Sequence, residues 1–495
     1  METESYERDF TSVSSLQEFR QLMSRSYDST VVPHDRELEG VGGPDRAAQY
    51  ALAGAFLVSY SQIVIAIWDG EREETLGGTA QIVRFALRGV PAKYSSNFAE
   101  PLRTNETGAV YRVSVGRASG GSSSVGSTSA SWLYPGGDTA DAKGLRRVRA
   151  GFEQNLRSLE RFNRDVVTAN TRHDASNTSE YLRSRGREAL ERVDADATLD
   201  YTRTLFALAD ALALGCRNWT HAAMIAIFCA IGIAAVLFSL YANLFPDAPI
   251  LYVAFIGVVA FAFGVDTFVG RERLQDRFQD YRALAEGLRV QYYWRLAGIG
   301  ESVYDHYLAR QAGELDWIRN ATRAARLLRY SPPEPASGDD VRASLEIVLV
   351  RWINGERAYF AKVAVKEQAM ASRIKWAANA CLVATGIVAI VLSVAVAEQT
   401  SSYRSVMITV LTLALSAAGL FAGYAQKRAH DEHARRYQRM CLFYKMAGDR
   451  ASLLLDEGDV VRARIVLMQV GREALAETCD WLLLHRERQI DIPTA

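Results

Sequence analysis

Neither sign of charge is in excess: 57 Lys and Arg are balanced by 57 Asp and Glu. A nucleic-acid binder that relies on a global basic field is thereby disfavoured. Cysteine is scarce and scattered. Cys216, Cys229, Cys381, Cys441 and Cys479 are the whole set, and no two have C-x-x-C spacing. This argues against a disulfide framework or a zinc site and fits a reducing compartment. The start, METESYERDF, lacks the apolar core of a cleaved signal peptide. Insertion into a membrane would fall to internal segments.

Charge is also missing from four apolar blocks. A helix needs about 20 apolar residues to cross the hydrocarbon core. His221 to Phe245, Ala248 to Val265, Trp376 to Ala397 and Ser405 to Gln426 each meet or approach that length without an Asp, Glu, Lys or Arg. The first two are separated by a turn with Pro246 and Pro249, the last two by Glu398 to Arg404. Such short connections make antiparallel hairpins. Arg217, Arg271, Arg273, Arg277, Arg373, Lys375, Lys427 and Arg428 flank the outer ends of the hairpins. By the positive-inside rule, both termini and the soluble parts are expected on the cytoplasmic side of a cell membrane. No Asp, Glu, Lys or Arg lies mid-span, which disfavours a proton-coupled transporter. Small residues are frequent there, at Gly232, Ala234, Ala235, Gly386 and Ser416 to Gly419, and they permit close helix contact and homo-oligomer assembly.

The remaining chain is mostly helical. Leu145 to Leu214 leads into the first span, and a long amphipathic helix is expected after each hairpin. One follows Arg271, with Tyr281, Leu284, Leu288, Tyr292 and Arg295 on one face. The other follows Gln426, with Tyr437, Met440, Cys441, Tyr444 and Ala447. Two spans followed by such a helix, twice over, suggests duplication. His430 and His433 share a helical face, but no cluster completes a metal site, so a solvated face is expected and no metal.

The N-terminal region differs. Ile63 to Ile67 is a β-branched apolar run typical of a parallel strand buried on both faces. It ends in Trp68-Asp69-Gly70, and Leu76-Gly77-Gly78-Thr79-Ala80 then opens a helix. A strand, glycine turn and helix can set backbone N–H groups against a phosphate. The same turn also serves helix–sheet packing with no ligand. The expected fold is therefore multidomain: a small α/β Rossmann-like domain (1–118), a Gly/Ser-rich linker (119–144), a first helical half (145–330), a linker (331–340) and a second helical half (341–495).

Ile65 to Pro91, IAIWDGEREETLGGTAQIVRFALRGVP, resembles the C-terminal half of a SLOG domain, and the likeness extends over roughly Met1 to Val115. That Rossmann-like family includes sensors of nucleotide-derived ligands. The resemblance implies that Asp69, Gly77, Gly78 and Thr79 line a ligand pocket, with Trp68, Gly70 and Gln81 beside them. The family's first strand has no counterpart before Tyr6, so the domain is expected to be reduced or to begin further upstream. YRALAEGLRVQYYWRLAGI at Tyr281, HYLARQAGELDWIRNA at His306 and REALAETCDWLLLHRERQI at Arg472 resemble the SLATT family, membrane modules found beside SLOG sensors in bacterial conflict systems. Together these imply a signal-gated antiphage effector that senses a nucleotide-like ligand and permeabilises the membrane, with no other cofactor. Related phosphoribohydrolases place carboxylates just after the Gly-Thr. Here Ala80, Gln81 and Ile82 stand there, so catalysis is not expected. A membrane-tethered hydrolase and a scaffold with a degenerate sensor remain the alternatives.

Overall fold

The computed structural model describes residues 3–26, 44–70, 75–94, 107–115, 129–136, 142–170, 197–307, 315–327, 338–397 and 403–487. By internal contacts the chain divides into two compact units, Met1–Arg164 with Leu308–Glu334, and Asp165–Tyr307 with Pro335–Ala495.

The first unit begins with α1 (Thr3–Glu7), α2 (Val13–Arg25) and α3 (Pro44–Tyr60). Strand β1 (Ile63–Trp68) follows, then α4 (Thr79–Arg88), β2 (Ala109–Ser114) and β3 (Ser129–Leu133). The sheet is small and mixed: β1 pairs parallel to β2, and β2 pairs antiparallel to β3. One face carries Val64, Ala66 and Val110, which bury against Ala55 and Val58 of α3 and Val83, Phe85 and Ala86 of α4. The other face departs from expectation. Ile65 and Ile67 are 68% and 67% exposed, so β1 is covered on one side only. β-branching set the strand but could not say how many layers cover it. Ser129–Leu133, inside the stretch read as linker, is the strand β3, held by Val110 opposite Leu133 and Tyr111 opposite Trp132. Residues 119–128 lie outside the described residues.

α5 (Ala142–Asn170) leads to the second unit. There α6 (Ala197–Asn243) runs unbroken from a soluble segment through the first apolar block. Helix α7 (Pro249–Glu272) carries the second, with Pro249 at its start, where the missing N–H costs nothing. Next come α8 (Leu274–Leu296) and the short α9 (Val303–His306); α10 (Asp316–Leu327) returns to the first unit. The long helix expected after Arg271 is thus, among the described residues, three helices. α11 (Gly338–Val348), a π-helical turn (Leu349–Ile353) and α12 (Asn354–Ala397) reach the third block, and α13 (Arg404–Arg428) carries the fourth. α14 (His430–Asp456) and α15 (Val460–Glu487) complete the unit. Residues 331–337 and 398–402, in the expected linker and the second hairpin turn, are outside the described set.

Among the described residues, four helices are therefore long and apolar enough to cross a membrane. Their side chains stand exposed, Ile250 at 74%, Phe263 at 66%, Val383 at 62% and Ile390 at 67% among them. Exposed apolar surface on this scale is what a lipid environment covers. Spans one and four also touch each other, where Phe228 meets Tyr424 edge-on at 5.5 Å and a Cβ on Gly232 would lie 3.4 Å from Leu420.

The repeat expected from the sequence has a geometric counterpart. α7 ends at Arg273 and α13 at Ala429, both with left-handed backbone (φ 49° and 46°), and a new helix starts at the next residue. In each copy that helix folds back on the soluble part of the first long helix, α8 on α6 and α14 on α12. The copies differ in burial. α14 is amphipathic as expected, whereas α8 is enclosed on every side, from Tyr281 through Leu284 and Leu288 to Trp294. Charge is tolerated there because it is paired. Arg282 bonds Asp210 at 3.0 Å and pairs with Glu286, and Arg289 pairs with Glu286 and with Glu356 at 2.5 Å. Such a network is stable only when complete, since removing one member strands another buried charge. Burial raises the Glu356 carboxyl, and the Arg289 guanidinium opposes it.

Candidate functional site

Ligands of open α/β sheets bind beyond the carboxyl ends of the strands. At that end of β1 come Trp68, Asp69 and Gly70, the last at φ 88°. Trp68 packs on the sheet core and accepts a hydrogen bond from the Val115 N–H at 3.4 Å.

Beside them stands a residue that the sequence reading did not single out. Arg112 lies opposite Ala66 on β2, on the helix-covered side of the sheet. A Cβ placed on Gly70 would lie 3.4 Å from its Nη1, which sets the guanidinium beside the turn. The Arg112 Nε is buried without a hydrogen-bond partner, and so is the Oγ of Ser131, its register neighbour on β3. A buried donor of this kind can be satisfied by a bound polar ligand, and Arg112 is placed for one by its position beside Gly70 at the strand end. The signal was present in the sequence: in AVYRVS, Arg112 falls on the same alternation as Val110, the inward one.

The glycine turn is built differently. Gly77 has φ 77°, and a Cβ there would fall 2.6 Å from the Ala47 carbonyl oxygen of α3. Its N–H donates to the Gln81 side-chain oxygen at 2.7 Å, and the Gly78 N–H donates to the Thr75 carbonyl at 3.0 Å. Both turn amides are thus satisfied inside the chain, that of Gly77 by Gln81 from the first turn of α4. The Thr79 side chain is exposed. The donors left for an anion are the first N–H groups of α4 itself, which no helix satisfies internally. Gly70 is thus brought beside Arg112, with Trp68 and Asp69 preceding it at the strand end, while Gly77 is seated on α3 and Gly78 on Thr75. Glu71, Glu73 and Glu74 lie outside the described residues.

His430 and His433 correct an expectation. Rather than facing solvent, His430 is 5% exposed and its Nδ1 meets the Glu367 carboxylate at 2.5 Å. That hydrogen bond holds the Glu367 carboxyl below its usual value, against burial. Burial likewise lowers His433. Spacing alone could not show that α12 supplies the partner. Among the described residues no cluster of His, Cys, Asp and Glu could hold a metal ion.

A comparison with protein-family models, with curated proteins and with solved structures finds no match to this chain.

Proposed function

We propose that the chain is a multi-pass membrane effector in which a reduced, Rossmann-like SLOG unit senses an anionic, nucleotide-like ligand and a SLATT-like helical unit permeabilises the inner membrane of a bacterium under phage attack. The observation that carries the membrane half is the exposure of four apolar helices with no charge in their central blocks. The sensor half is supported by Arg112, whose partnerless Nε lies near Gly70 at the strand ends. Arg112 would take the anion, Asp69 a ribose or base donor, and Ser131 a further polar group. Gating requires that the ligand favour one state of the protein over the other. Both hairpins would enter and leave from the cytoplasm, with the soluble units there. Gly257, Gly264 and Gly386, which have no neighbour within 4 Å of an added Cβ, would serve assembly of several copies.

The test is membrane potential in bacteria after induced expression, with and without phage challenge. Depolarisation by the wild type is expected, and its loss in Asp69→Ala and Arg112→Gln at equal membrane abundance. Depolarisation that both variants retain would keep the effector and remove the sensor pocket. An unchanged potential throughout would remove the effector. One observation favours the scaffold alternative: the Gly77 and Gly78 amides are already bonded within the chain. Under that reading every pocket variant is silent.

A further inference from the structure

Where span four meets α14 there is a cleft of about 240 Å³, lined by Ala371, Ile374 and Lys375 of α12 and by Ala425, His430 and Asp431 across from them. Three features meet in it. The first is charge of both signs, since Lys375 pairs with Asp431, and Glu432 also lines the cleft. The second is the N-terminus of α14, a helix of 27 residues that no side chain caps. Its first N–H groups and dipole favour a negative group. The third is a buried ring nitrogen without a partner. His430 is 5% exposed, its Nδ1 is committed to Glu367, and its buried Nε2 has no hydrogen-bond partner. Next to Lys375, Trp376 is 75% exposed at the edge of the third apolar block, the level at which tryptophan marks a membrane interface.

We infer that this cleft binds the headgroup of a zwitterionic, amine-bearing phospholipid. The phosphate would lie against the α14 N-terminus and Lys375, with the His430 ring, held by Glu367, at the base of the cleft. The ammonium would lie against Asp431 and Glu432, and the glycerol and upper tail along Ala371, Ile374 and Ala425. The Lys375–Asp431 pair opens to admit the headgroup, each partner exchanging one opposite charge for another. Two carboxylates at the rim disfavour a lipid that carries only negative charge. A quaternary amine offers no N–H to them and binds less well. The inference rests on the membrane-spanning reading.

The experiment uses the purified full chain in mixed micelles and tail-labelled phosphatidylethanolamine, phosphatidylcholine and phosphatidylglycerol with identical tails. Phosphatidylethanolamine is expected to bind about tenfold more tightly than either, as charge-assisted hydrogen bonds of this kind would give. Lys375→Ala and the double variant Asp431→Asn with Glu432→Gln should each remove that preference. The Lys375 and Asp431 side chains are 63% and 44% exposed, so these changes leave the fold intact, which an unchanged melting profile checks. Equal binding of the three lipids, or a preference that survives both variants, overturns the site. Soluble glycerophosphoethanolamine that binds as tightly as the lipid overturns the lipid as its source. Recovery of the unextracted chain from the soluble fraction of cells would instead overturn the membrane reading on which the site rests.

Discussion

His430 and Glu367 make a contact whose strength depends on pH, and its sign follows from the direction of the shift. The Glu367 carboxyl is lowered from 4.5 by its hydrogen bond with His430. A carboxylate lowered in the folded state adds stability above its unfolded value, and that stability is lost as pH falls through the folded one. Glu367→Gln should therefore melt below the wild type near neutral pH, with the gap closing only as pH drops below about 5 and on through the lowered folded value. Thermal melts of both proteins in one detergent would check this, and a gap that stays constant would mean that the pair carries no ionic component. At the same scale, Gly471 shows how closely α15 approaches α8. A Cβ there would sit 2.2 Å from the buried Trp294 indole nitrogen, which donates to the Leu467 carbonyl at 3.3 Å.

At the scale of elements, the two elbows make the sharpest prediction. Left-handed backbone costs a residue with a Cβ roughly 1 kcal/mol, and a β-branched residue more. Ala429→Val should therefore destabilise the chain by about 1–2 kcal/mol, while Ala429→Gly stays within about 0.5 kcal/mol of the wild type. Equal melting temperatures for the two variants would argue that the elbow is not held. The elbows also mark a limit of sequence reading. The spans could be read because the absence of charge over a block is a local property, and lipid makes that property decisive. Neither Arg273 nor Ala429 carries a turn signal, so the break after each hairpin could not be read. Strand β3 was hidden for a similar reason. Ser129 closes a glycine- and serine-rich stretch, and only its pairing with β2 makes it a strand. The full enclosure of α8 depends on which helices surround it, and Arg282, Glu286 and Arg289 look like solvent-facing residues until their partners are known. For the candidate site, Asp69 and Gly70 could be placed from the end of β1. Arg112 required the register of β2.

For the whole molecule, the proposed orientation puts the turn between α6 and α7 outside the cell and α14 inside. In a chain whose five cysteines are serines, a membrane-impermeant maleimide should label Asp247→Cys on intact spheroplasts and Lys445→Cys only after lysis. The reverse pattern would invert the topology. The elbows have one more consequence at this scale. Successive residues of an α-helix are rotated by about 100°, so a helix without a break fixes the azimuth of everything along it. In α6 and α12 the lipid-facing and protein-facing sides are locked in phase, and a single-residue insertion in the soluble part would turn the span to a new heading. Arg273 and Ala429 release that lock in α7 and α13. In α7 and α13 the phase of the span is therefore set by what the span itself packs on, as where Tyr424 meets Phe228, and not by the packed face of the helix behind it, whereas in α6 and α12 one phase must serve both.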